Sequence, residues 1–205
     1  MSSDLSAPET GPFAGVPDAI VQLCGSLTDY VEAAVQIRPD YTPETLPLVD
    51  HYAQTVGGVL RDRPEVLDLS AQAIGAYFGE VVRRHLAGFW IVPSQNKNDW
   101  LVCGEVAFVA FNPIGVGYDA AVSSTDHHGP SSQLKLAHED RALVAARLEQ
   151  LPQVRDTDYF SLSTRYDVLE IVMEAVRAQA GARGYDEVTY DARDYGDQAR
   201  PLGLL

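Results

Sequence analysis

The spacing of apolar residues changes character twice along the 205-residue chain. From Pro64 to Leu86, in PEVLDLSAQAIGAYFGEVVRRHL, Leu67, Ala71, Ile74, Phe78 and Val81/Val82 recur at three-and-four spacing. That period predicts one long amphipathic helix. Short aromatic and β-branched runs follow: FWIVP, then WLVCGE and VAFVAF. Runs of this kind suit strands. The polar stretch SQNKND reads as the first hairpin connection, and Gly104-Glu105 as a second tight turn. Asn112-Pro113 ends the last run. A helix laid across a small antiparallel sheet buries both patterns at once.

Helical spacing also governs the segments before this unit. Pro17 fits a helix first turn, and PDAIVQLCGSLTDYVEAAVQI sets Ile20, Leu23, Leu27, Tyr30, Val31, Ala34 and Val35 on one face. Thr42 and Pro43 open a second helix, which Gly57-Gly58 weakens near its end. Gly75 and Gly79 lie four apart in the third helix, so another element can approach closely there, and self-assembly through that face is one reading. Gly88 is the expected helix stop.

Beyond Pro113 the text is less regular. IGVGYDAAVSS fits a short helix or a loop, and STDHHGPSSQ is a loop by composition. LAHEDRALVAARLEQLP predicts a fourth helix with Leu143, Ala146 and Leu148 inward, and DYFSLST an extended piece. Thr164, with Asp167 three residues on, predicts a capping box for the fifth helix, whose stripe is Val168, Leu169, Val172, Met173 and Val176. Glu187 to Tyr190 reads as one more strand before an acidic tail. The expected architecture is α+β: about five helices on a small, mainly antiparallel sheet. Residues 16–195 form its single domain, with a flexible tail at 1–15 and a C-terminal tail at 196–205.

The formal net charge of -14 changes the picture more than the composition does. It repels phosphate backbones, and no basic patch offsets it, so nucleic acid is not an expected partner. It favours basic partners instead. Cys24 and Cys103 fall in a helix and an apolar run and read as buried free thiols. MSSDLSAPETGPFAGVP lacks the features of a secretory signal, and no run is long enough for a membrane span. The expected location is the cytoplasm, with no membrane contact.

Candidate chemistry is sparse. Asp126-His127-His128 is the one histidine pair; with Asp119, or with His138 and Glu139, it has the ligand types for a divalent metal. No HExxH or second Cys/His cluster supports it, so no metal or other cofactor is expected. His85, after Arg83 and Arg84, complements a helix C-terminus. Glu80 is spaced to pair with either arginine at modest gain. The serines lie outside any nucleophile elbow, and the glycines of IGVGYD lack the third glycine of a dinucleotide loop. No catalytic residue is assigned. Near the end, tyrosines interleave with carboxylates, and Tyr190, Asp191, Asp194, Tyr195 and Asp197 are the expected partner-binding residues.

The runs GAYFGEVVRRHLAGFW, NDWLV, FNPIG and YFSLSTRYDVLE are similar to those of a group of bacterial α+β proteins with no assigned activity. The resemblance spans Ala71 to Glu170 and implies the single-domain α+β fold alone. The functional expectation is a non-enzymatic acidic interaction module, adaptor-like or immunity-like, that docks a basic protein. A divalent-metal enzyme using the Asp126-His127-His128 loop is the alternative.

Overall fold

The computed structural model describes residues 12–60, 63–185 and 188–196. Among them are seven helices and one four-stranded antiparallel sheet, an α+β fold as the hydrophobic pattern predicts. In chain order these are α1 (Asp18–Val35), α2 (Leu46–Leu60), α3 (Pro64–His85), β1 (Gly88–Ile91), β2 (Leu101–Gly104), β3 (Val109–Phe111), α4 (Pro113–Val122), β4 (Lys135–Leu136), α5 (Arg141–Leu148), α6 (Asp156–Tyr159) and α7 (Leu162–Ala182). No helix of the described residues is long and apolar enough to cross a membrane.

The long helix is central, as its stripe predicts. Ala71, Ile74, Phe78, Val81 and Val82 are buried, and Leu67 packs on them from the edge. The strands lie in the order β1-β2-β3-β4. Phe89 faces Cys103 and Trp90 faces Val102 across the first pair; Val109 faces Leu136 across the last. Because side chains alternate along strands, the sheet has two apolar faces. Val102, Val109, Phe111 and Leu136 join the main core with α3 and α7. Phe89, Cys103, Phe108 and Ala110 form a second, smaller core on the far side.

The stretch the sequence left open, IGVGYDAAVSS, is the most buried helix. Pro113 to Ala121 are all buried in α4, so no polar face marks it as amphipathic. Asn112 starts it. Its Oδ1 accepts from the N–H groups of Ile114 (2.9 Å) and Gly115 (3.2 Å), while its Nδ2 donates to the carbonyls of Lys97 and Asn98. The helix then lies backbone to backbone on α3. A Cβ on Gly75 would meet Pro113 and Ile114, and one on Gly117 would meet Ala71 and Gly75. Gly79 is filled by the Trp90 ring and Pro113. The Gly75/Gly79 face is therefore used within the chain and is not open for self-assembly.

Several boundaries differ from expectation. Helix α3 ends at His85, and Ala87, not Gly88, takes the left-handed conformation (φ 48°). Gly88 opens β1 opposite Gly104. Helix α7 starts three residues early: Ser161, not Thr164, is the cap, its Oγ accepting from the Thr164 N–H. Asp50 of α2 also caps it, accepting from the Leu162 N–H (2.6 Å) and the Ser163 hydroxyl (2.6 Å). DYFSLST is not extended; it holds the end of α6 and the start of α7. In α5 the buried residue is Val144, whereas Ala146 is exposed. In α1, Cys24 is buried as expected, whereas Tyr30 and Ala34 are exposed and Thr28 is buried instead. Within the predicted tail, Phe13 packs against the core beside Val16, the first residue of the predicted domain.

Candidate functional site

The C-terminal segment 188–196 crosses the far face of the sheet. Val188 to Tyr190 form no strand; one hydrogen bond, from the Tyr190 N–H to the Glu105 carbonyl (2.8 Å), ties them to the β2–β3 turn. Glu187 lies outside the described residues. Tyr195 is 4% exposed and completes the second core, stacked on Phe108 at 4.5 Å and edge-on to Phe89. Its hydroxyl donates to the Gly104 carbonyl (2.7 Å) and accepts from the Val109 N–H (3.2 Å). Burial pushes this phenol far above its ordinary range. Tyr195 is thus the anchor of the segment and is withdrawn from any partner. Tyr195→Phe is expected to cost about 1–2 kcal/mol, since it leaves a buried carbonyl short of its donor. Urea denaturation reads this directly, and an unchanged midpoint would reject the anchoring role.

The other expected partner-binding residues lie outside this anchor. Tyr190 is half-buried, edge-on to Phe108 at 5.3 Å. Asp191 and Asp194 are exposed. Asp191 is held down to about 2 by the Arg193 guanidinium beside it, and Asp194 accepts from the Asp191 N–H (2.7 Å). Asp197 lies outside the described residues.

Between this segment, the end of α7 and the start of α5 runs an open groove of about 1160 Å³. Tyr190 and Tyr185 line it with Glu139, Asp140, Asp194 and three arginines. Burial raises the Tyr190 phenol, and so do Asp140, Asp194 and Glu139 around it. Asp140 is bound by Arg183 (3.2 Å) and Gln179 (3.2 Å); burial still raises its carboxyl, against the opposing pull of Arg183. Arg193 pairs with Asp191. Among the described residues Glu139, Asp194 and Arg141 make no ion pair, so two carboxylates and one guanidinium of the groove have no counter-charge bound to them there.

The histidine loop is built differently from the metal expectation. His127 turns inward: its Nδ1 accepts from the Gly129 N–H (3.1 Å), so Nε2 carries the proton and donates to Asp119 (2.8 Å). Asp119 is 1% exposed and also receives the Ser132 hydroxyl (2.5 Å) and Arg165 (3.0 Å). His128 pairs instead with Asp68 (2.8 Å) and stands edge-on to the Tyr118 ring on which His127 stacks, and Asp126 is exposed. The three loop residues diverge. No three His, Cys, Asp or Glu side chains among the described residues are placed to share an ion, and His138 and Glu139 line the groove. Serine, histidine and aspartate do meet here, but the hydroxyl bonds the carboxylate and both imidazole nitrogens are occupied. A serine-hydrolase triad needs the hydroxyl on the imidazole. The cluster fastens residues 123–134 to α4 and α7.

A second buried polar cluster, which spacing alone undervalued, sits at the end of α3. Glu80 is fully buried and accepts from Arg83, Arg84 and the Trp90 indole N–H. His85 bonds the Tyr41 carbonyl at 3.0 Å. The cysteines are free and buried; burial raises both thiols, Cys103 to about 12. Neither is an activated nucleophile.

No family model, curated protein or solved structure matches this chain.

Proposed function

We propose that the protein is a non-enzymatic interaction module that docks a basic segment of a partner protein in the groove between α7, α5 and residues 188–196. The observation that carries this reading is Tyr190 set in the groove wall among Glu139, Asp140 and Asp194. A phenol ring ringed by carboxylates suits a lysine or arginine side chain, which gains from both the ring face and the charges. Tyr185, 60% exposed on the same wall, adds contact area. The groove exceeds the usual span of small-molecule sites, about 300–1,000 Å³. The net charge of -14 steers cations toward the molecule.

Selection from a displayed random-peptide library tests this. Enriched peptides are expected to carry two or more lysines or arginines and to bind more weakly as salt rises. Tyr185→Ala and Glu139→Lys are expected to weaken them about tenfold each, or ~1.4 kcal/mol. Both positions are exposed, so thermal melts should match the parent. Enrichment of neutral or acidic peptides would overturn the reading, as would binding indifferent to both substitutions.

A further inference from the structure

A seat for an aromatic ring lies at the opposite end of α3 from its proline start, and the chain's own Phe13 occupies it. The Phe13 ring stands edge-on to Tyr41 at 5.4 Å with the Arg84 guanidinium 4.7 Å from its centre. The carbonyl just before it, that of Pro12, accepts from Arg83 Nη2 (3.2 Å). The seat itself is held by other groups. Tyr41 has φ 67°, a strained conformation for a bulky residue. It is fixed there by its N–H on the Tyr77 hydroxyl (2.8 Å), its carbonyl on His85 and its ring stacked on Tyr77 at 4.8 Å. Arg84 lies 4.3 Å over the Tyr41 ring, and its Nε is locked on Glu80 (2.7 Å). One donor is left over: among the described residues, Arg84 Nη2 is buried with no acceptor. Buried donors are almost always paired, so this one calls for an explanation.

We propose that this seat is a recognition site for an aromatic carboxylate, and that Phe13 with the Pro12 carbonyl is its built-in competitor. The ligand ring takes the place of Phe13 against Tyr41 and Arg84. Its carboxylate bridges Arg83 Nη2, where the Pro12 carbonyl now sits, and the unpaired Arg84 Nη2. Phe13 supplies a ring but no acceptor for that second donor. Glu80 and Glu105 both face Arg83, so directional hydrogen bonds and not net charge select the carboxylate. The shared chemistry is found in a free aromatic acid and in a peptide ending in phenylalanine.

The test titrates wild type and Phe13→Ala with N-acetyl-phenylalanine, its amide, and a short peptide with a C-terminal phenylalanine. The readout is the NMR shift of the Trp90 indole N–H, which bonds Glu80 beneath the seat. N-acetyl-phenylalanine is expected to bind Phe13→Ala about tenfold more tightly than wild type, because the competitor is gone. The amide is expected to bind more weakly, and Arg84→Lys in the Phe13→Ala background to lose the response while keeping the charge. A response to the free acid alone identifies a small-molecule ligand; a response to the peptide as well identifies a chain terminus. Equal affinity of wild type and Phe13→Ala, equal affinity for acid and amide, or no saturable shift in Phe13→Ala overturns the proposal.

Discussion

Gly117→Ala is expected to lower the stability of the protein by about 3 kcal/mol, at the upper end of overpacking penalties. One methyl group has this effect because of what it meets. A Cβ on Gly117 would lie 2.5 Å from the Gly75 nitrogen and 2.8 Å from the Gly75 Cα. Overlap with a side chain is relieved by a change of rotamer. Overlap with backbone is relieved only by moving a helix, and α3 is fixed by the core around it from Ser70 to Val82, the stretch that contains Gly75. Gly75→Ala meets Pro113 and Ile114 from the other side and should behave alike. The double variant should fall short of the sum, since both methyls part the same two helices. Gly25 in α1 is the control: a Cβ there has nothing within 4 Å. Gly25→Ala is expected to raise stability by about 0.5–1 kcal/mol through helix propensity alone. Urea denaturation with unchanged m-values gives both signs. Equal effects at Gly25 and Gly117 would mean that α4 does not lie on α3 as described.

The same helix pair shows where sequence reading succeeds and where it stops. The pattern around α3 was legible because one face of that helix is wet at its ends, and the polar positions mark the period. The hairpin after it was legible because SQNKND breaks two apolar runs. Helix α4 was not, because every residue from Pro113 to Ala121 is inside. A helix buried all round has no periodic signal, and two glycines lower its propensity further. Tyr195 was misplaced for the opposite reason. It stands in a polar stretch with aspartates on either side, and only the apolar far face of the sheet makes it a core residue. The histidine loop carries the right residue types side by side. Which way each ring turns depends on Asp119 and Asp68, one 8 and the other 60 positions away. The Phe13 seat likewise joins residues 13, 41 and 84, a grouping that no local motif announces.

Glu80 is where the sequence-level estimate and the structure differ most in energy. Its spacing to Arg83 and Arg84 is that of a surface pair worth about 0.2–0.5 kcal/mol. In the fold its carboxylate is fully buried, and the guanidiniums over it are about four-fifths covered. Glu80→Ala would leave two largely buried cations and an indole N–H without their shared acceptor. The expected loss is about 3–5 kcal/mol, as for one side of a buried ion pair. Glu80→Gln keeps an oxygen but turns an amide donor toward other donors, so it should fall between parent and alanine. Arg84→Ala should cost less than Glu80→Ala, because Glu80 keeps Arg83 and Trp90. Removing Glu80 and Arg84 together should cost less than the two losses added. Cys24 gives a local readout, since Glu80, Arg83 and Arg84 all act on its thiol. In Glu80→Ala, a thiol reagent should label Cys24 before Cys103, which is held in the second core beneath Tyr195. Were Glu80→Ala to shift stability by only about 0.5 kcal/mol, the carboxylate would be acting as an ordinary surface group. The strained seat of Tyr41, which depends on Arg84 staying in place, would then have lost the support assigned to it.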